Sequence, residues 1–355
     1  MKKLFITFAL SLTFMFCGTL ISCKNEEKSK QFDSSPVTQE KGNVNPDKTP
    51  PLLPASGDVE NNSPVVIETG IYKDKDSLYH LKYVLETGKT YLFNTKEVNK
   101  QTITFRGKSQ SITQESHDPV SFTVLGIKDG KYTLQVNMGG KKVITKADGQ
   151  QSVFDTKGKK PEEPNQAKMW MIYKAISEVT FTMDMDVYGN VTNINGMDAI
   201  YSKAKSSLSG ELKGKELDDF VNAFKQGLNP ETFKAQFEAS VMKFPAKGLK
   251  IGEKWNTDPS LKNLGYNQLV KVDENTTEVI VQGSIPPKSD SKVNEGVTYK
   301  ISAKVSQNGK IIIDNKSGWI SKANFTATVT ETRTAVKGEE SEEIVQKTVN
   351  TTYIN

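Results

Sequence analysis

Residues 120–138, VSFTVLGIKDGKYTLQVNM, alternate apolar and polar side chains on both sides of Asp129-Gly130. Alternation at a period of two places every second residue on one face, which is a strand with a single buried side. Asp-Gly between two such runs is a hairpin signal, because both turn residues must take positive φ. The same signature recurs in YHLKYVL (79–85), KTYLFNTK (89–96), the stretch 178–195, and 266–354, where Asn308-Gly309 reads as a further turn. A chain written this way is committed to antiparallel sheet.

Between the strand-rich parts the period changes. Met169, Ile172, Tyr173 and Ile176 fall at helical spacing within 165–178. Three more helices are predicted over 197–208, 215–228 and 230–244, with Pro230 suited to a first helical turn. The expected fold is α+β: mostly antiparallel sheet, half-barrel-like, with a central block of amphipathic helices. Two stretches also answer one another in order. GKTY at 88–91 matches GEKW at 252–255, residues 120–138 match 266–284, and VTFTMDMDVYGN (179–190) matches VTYKISAKVSQNGK (297–310). Pseudo-repeats at 79–195 and 250–355 explain this, as do two meanders obeying the same strand rules.

The N-terminus has a different character. Lys2 and Lys3 precede the uncharged apolar run Leu4 to Leu20, which ends in Leu20-Ile21-Ser22-Cys23. That is a signal peptide over 1–22 with a lipobox, and it makes Cys23 the lipidation site. Residues 23–68 follow as a polar tether with scattered prolines, so the globular part is expected over 69–355. The other cysteine, Cys17, lies inside the leader, which leaves no disulfide or cysteine metal site. The net charge of +5 falls to +3 once Lys2 and Lys3 are removed, and Arg106 and Arg333 are the only arginines. Interspersed lysines with so little arginine read as a solvated surface and exclude a nucleic-acid partner.

Few residues suggest chemistry. Asp184 and Asp186 with Gly189 resemble a calcium loop, but Tyr188 and Asn195 stand where oxygen ligands are needed. The alternation of Phe181, Met183, Met185 and Val187 with Thr182, Asp184 and Asp186 instead gives a half-buried hairpin. Ser116-His117-Asp118 has the residues of a triad, but neighbours on a strand face opposite ways; it reads as decoration of a turn before Pro119. Ser-x-x-Lys matches and Lys316-Ser317-Gly318 lack the rest of the penicillin-binding pattern. No metal and no cofactor is expected, and no enzymatic activity. Phe220, Phe224, Phe233 and Phe237 form an apolar helical stripe that either packs on the sheet or lines an opening over an apolar ligand.

Residues Leu81 to Tyr91 (LKY-x-L-x-x-G-x-x-Y), the strand with G-N-V-T and Gly at 179–196, and G-E-K-W at 252–255 resemble an uncharacterised domain family of lipoproteins from Bacteroidota. The resemblance implies location and fold: an outer-membrane protein, held by its N-terminal lipid on the periplasmic face or the cell surface. The layout is also similar to lipoprotein carriers that hold acyl chains in a half-barrel. The first expectation is therefore a non-catalytic binding or carrier module for lipid or another apolar ligand. The second is a surface-exposed interaction or adhesion lipoprotein, and the third a hydrolase.

Overall fold

Long alternating strands joined by glycine turns build one large sheet. The computed structural model describes residues 68–256, 264–294 and 297–355, all within the compact unit that holds Glu68–Asn355. Cys23 and the tether lie outside the described residues. In chain order the elements are β1 (Ile71–Lys73), β2 (Tyr79–Leu81), β3 (Thr90–Phe105), β4 (Lys108–Lys128), β5 (Lys131–Met138), β6 (Lys142–Ala147) and β7 (Gln150–Asp155). Then follow α1 (Pro164–Ser177), β8 (Thr180–Asp186), β9 (Val191–Asn195), α2 (Met197–Leu208), α3 (Gly214–Gly227) and α4 (Pro230–Ser240). The chain finishes with β10 (Lys254–Trp255), β11 (Gly265–Val272), β12 (Thr276–Asn294), β13 (Val297–Asp314), β14 (Ile320–Lys337) and β15 (Glu340–Ile354).

β1 and β2 form a small ribbon, and the other strands make a sheet ordered β10-β11-β12-β13-β14-β15-β3-β4-β5-β8-β9, with β6 and β7 branching from β4. Neighbouring strands pair antiparallel throughout, and the sheet is not closed into a barrel. The join between the two strand-rich parts is β15 against β3, from Ile344 opposite Phe105 to Ile354 opposite Thr95. β3-β4-β5-β8-β9 and β10-β11-β12-β13-β14 are successive runs of neighbours with the same order.

The core occupies one end of the long strands. Tyr91, Phe93, Phe122, Leu134, Val136, Phe181, Met183 and Met185 share the inner face, where the helices pack. Phe122 meets Phe237 of α4 at 5.1 Å between ring centroids. Trp319 stands against Tyr91, Phe122 and Tyr83 at 5.3, 5.6 and 5.9 Å. Its indole donates to Leu92 O, so a large buried ring has its one polar atom satisfied.

The structure departs from the sequence expectations at Asn308-Gly309 and at the end of the last helix. Asn308-Gly309 is no turn, because β13 runs straight through it. Gly309 faces Phe325 of β14, and a Cβ there would come within 2.4 Å of that ring, so the glycine makes room for the aromatic. The last helix ends at Ser240 rather than 244. Val241, Met242 and Phe244 leave it and are buried in extended chain, with Phe244 N donating to Tyr188 O.

Lys316-Ser317-Gly318 is a structural turn. Asp314 accepts from Ser317 N at 2.8 Å and from Ser317 Oγ, and Gly318 has φ +71. A Cβ on Gly318 would approach Lys82 O at 2.2 Å. Gly318→Ala is expected to cost about 2–4 kcal/mol, from a left-handed backbone and a contact with main chain that cannot yield. Equilibrium denaturation checks this, and an unchanged midpoint would refute it.

Candidate binding groove

The six longest strands, β3, β4 and β12 to β15, have 15 to 21 residues, several times the usual length. Burial follows only one end of them. On β3 it stops at Glu97, on β14 at Phe325, and on β15 it includes only Thr352 and Ile354. Beyond those points the sheet projects past the helices with both faces accessible.

The projecting faces differ in chemistry. The outer one carries Lys300, Ser302, Lys304 and Ser306 on β13, Thr328, Thr330, Thr332 and Thr334 on β14, and Thr102 and Thr104 on β3. The inner face carries Tyr299, Ile301, Ala303 and Val305 opposite Ala335, Arg333, Glu331 and Val329. At the tip, pairing makes a continuous row of Phe105, Ile344, Arg333, Ile301 and Asp290 across five strands. The next row is Glu342, Ala335, Tyr299 and Lys292. These residues enclose a groove of about 500 Å³, within the range of small-ligand sites.

Phe105, Ile344, Ile301 and Tyr299 are 37%, 39%, 44% and 46% exposed. Scattered exposed apolar residues need no explanation, but a contiguous set on one face does. Both arginines of the chain frame the tip. Arg106 pairs with Glu342 and lies 5.1 Å from the Phe105 ring, and Arg333 pairs with Glu331.

Between core and groove, the inner face crosses a polar belt. Thr95, Glu97, Ser116 and Thr352 are buried there beside Asp118, whose partner is the buried Lys141 at 2.5 Å. Ser116 donates to Asp118 at 3.1 Å. Desolvation pushes the Glu97 carboxyl up to about 8; a hydrogen bond from Asn350 and the Lys141 charge work against that, and Asp118 reinforces it. Burial likewise raises the Tyr173 phenol, which lies under Lys141. Sequence reasoning missed Glu97, which reads as a solvated charge between lysines. Its phase was the signal, since it alternates with Tyr91, Phe93 and Thr95.

The other candidates take structural places. Asp184 and Asp186 are on the outer face of the β8–β9 hairpin. Asp184 accepts from Thr133 Oγ1 at 2.8 Å, and Asp186 closes the turn by accepting from Tyr188 N and Asn190 N, both at 2.9 Å. Ser116, His117 and Asp118 lie within β4 rather than at a turn; His117 faces outward, where it meets Glu115 at 2.8 Å. Phe224, Phe233 and Phe237 are buried at 4%, 1% and 1%, and Phe220 is partly buried against the same core. Of the two uses left open for that stripe, these burials fit packing. Trp170 and Trp255 donate their indole N–H groups to Asp155 O and Lys243 O.

Residues 129–320 match the model of a family of unknown function, DUF6263. The chain belongs to that family. The match runs from the β4–β5 turn to the start of β14, so DUF6263 as matched leaves out β1 to β4, most of β14, and β15. No curated protein matches the sequence. Among solved structures, one on lipid–protein interactions in lipovitellin is 10% identical with a TM-score of 0.36, covering 77% of this chain and 25% of that one. This chain thus spans about a quarter of the length of lipovitellin. OpdQ of Pseudomonas aeruginosa is 8% identical with a TM-score of 0.17, over 75% of this chain and 99% of that one. OccK5 (OpdH) of the same organism is 6% identical with a TM-score of 0.19, over 76% and 98%.

Proposed function

We propose that this chain is a non-catalytic carrier or binding lipoprotein, anchored to the outer membrane through Cys23, whose projecting sheet holds an apolar ligand on its inner face. One observation carries the reading: the row of Phe105, Ile344 and Ile301, with Tyr299 beside it, stays exposed on the face that elsewhere forms the core. Each methylene transferred from water to such a surface contributes about 0.8 kcal/mol, so an alkyl chain gains more there than a polar solute does. The anchor rests on the Leu-Ile-Ser-Cys motif after an apolar leader, and the likeness to Bacteroidota lipoproteins belongs to the same reading.

The test is binding of a fluorescent fatty-acid analogue to the full chain, beside Ile301→Asp and Ile344→Asp. Both variants are expected to lose at least about tenfold in affinity, while melting stays within roughly 1–2 °C because exposed side chains contribute little to stability. Binding that is absent in the parent, or equal in parent and variants, would remove the groove reading.

A further inference from the structure

On the inner face, Glu97 is directly opposite Thr352, Thr95 is one alternation towards the core, and Asn350 is one alternation towards the open sheet. Thr95, Glu97 and Thr352 are 4%, 1% and 4% exposed. Thr95 Oγ1, Glu97 Oε2, Asn350 Oδ1 and Thr352 Oγ1 have no hydrogen-bond partner among the described residues. Buried polar atoms in native proteins are almost always satisfied, so four orphans side by side in one register point to an occupant. We propose that Thr95, Glu97, Asn350 and Thr352 form a binding site for a primary ammonium group, entered from the open inner face beside Asn350.

The chemistry follows from what the four atoms are. Asn350 Oδ1 can only accept, Glu97 once ionised can only accept, and the two threonine hydroxyls can accept, so an occupant that donates hydrogen bonds satisfies all four at once. An anion is disfavoured by Glu97 and Asp118. Calcium takes six to eight oxygens and usually several carboxylates, whereas Asp118 is already held by Lys141 and Ser116. A primary ammonium brings three donors and one positive charge, which matches a cluster of acceptors around one carboxyl. Asn350 is only half-buried and pairs with Asn99, so the entrance faces the projecting sheet. The site does not depend on the tip groove, which is lined by other residues.

The groups facing Glu97 are Asp118 from β4 and Lys141 from the link before β6, with Tyr173 of α1 under Lys141. Without an ammonium the carboxyl is protonated at neutral pH, and an arriving ammonium restores its charge. Binding at pH 7 therefore expels a proton from Glu97 to buffer.

Calorimetry of the full chain at pH 7, in two buffers of different protonation enthalpy, reads both affinity and proton count. The probes are hexylammonium, hexyltrimethylammonium, which has no N–H donor, and potassium chloride. Hexylammonium is expected to bind at least about tenfold tighter than the other two and to release close to one proton. Glu97→Gln should abolish the proton release and lose at least about tenfold in affinity, and Thr352→Val should weaken binding with the release intact. Equal affinity for the trimethylated probe or for potassium would overturn the proposal. So would no binding at all, which leaves buried water as the occupant, or proton release that survives Glu97→Gln.

Discussion

From pH 5 to pH 9 the parent chain is expected to lose stability steadily, while Glu97→Gln changes far less. The sign follows from linkage. Glu97 titrates near 4.5 in an unfolded chain and is pushed up to about 8 in the fold by desolvation. Between those values the folded state binds the extra proton, so stability is fully present below about 4.5 and is lost as pH rises through 8. A difference of three to four units at 1.36 kcal/mol each is on the order of 4–5 kcal/mol. The amide introduced by Glu97→Gln keeps the shape and the hydrogen-bonding capacity without the charge. The variant should therefore be the more stable protein at pH 9 by a few kcal/mol, roughly as large as a whole core side chain. Carboxylates held below their ordinary range, such as Glu86 beside Lys316 and Asp74 beside His80, act on the acid side of this window. Urea denaturation at half-unit steps of pH measures the effect. Parallel curves for parent and variant would show that Glu97 ionises freely, and that its burial is not what the geometry indicates.

The difference between what the sequence reveals and what it hides has the same physical root. Where a strand has one face on the core, selection for burial writes alternation into it. Residues 120–138 and 179–187 accordingly declare their strands and their faces. β3 beyond Glu97 and the first part of β4, VNKQTITF and KSQSITQE, project past the helices. With neither face buried, their alternation fades, and the sequence shows two short strands where one long hairpin exists. Its turn, Arg106-Gly107, has positive φ at both residues yet lacks the Asn or Asp that flags such turns. Asn308-Gly309 fails in the opposite direction: the right dipeptide for a turn, kept for the space it leaves to Phe325. The groove shares this opacity, because Phe105, Ile301 and Ile344 come from strands far apart in sequence and only the register assembles them.

The aromatic stripe of the helical block allows a sharper decision between core and ligand opening. Phe237 is 1% exposed and meets Phe122 of the sheet at 5.1 Å; Phe233 is equally buried and meets Phe181 edge-on at 4.9 Å. The two phenylalanines stack at 6.3 Å, so each fills space that the other and the sheet cannot close. Truncating such a ring loses its transfer free energy and leaves a cavity, together about 3–5 kcal/mol. Phe233→Ala and Phe237→Ala are therefore each expected to lower the melting temperature by on the order of 10 °C. Phe220→Ala, at a site only partly buried, should cost much less. Because the two rings share a boundary, the double variant should lose less than the sum of the singles. Affinity for the fatty-acid analogue, measured well below the transition, should be unchanged in all three, since the proposed groove is at the other end of the strands. If Phe233→Ala and Phe237→Ala melted like the parent but bound the analogue weakly, the helices would be a cover over the ligand rather than part of the core. The projecting tip would then lose its claim to be the site.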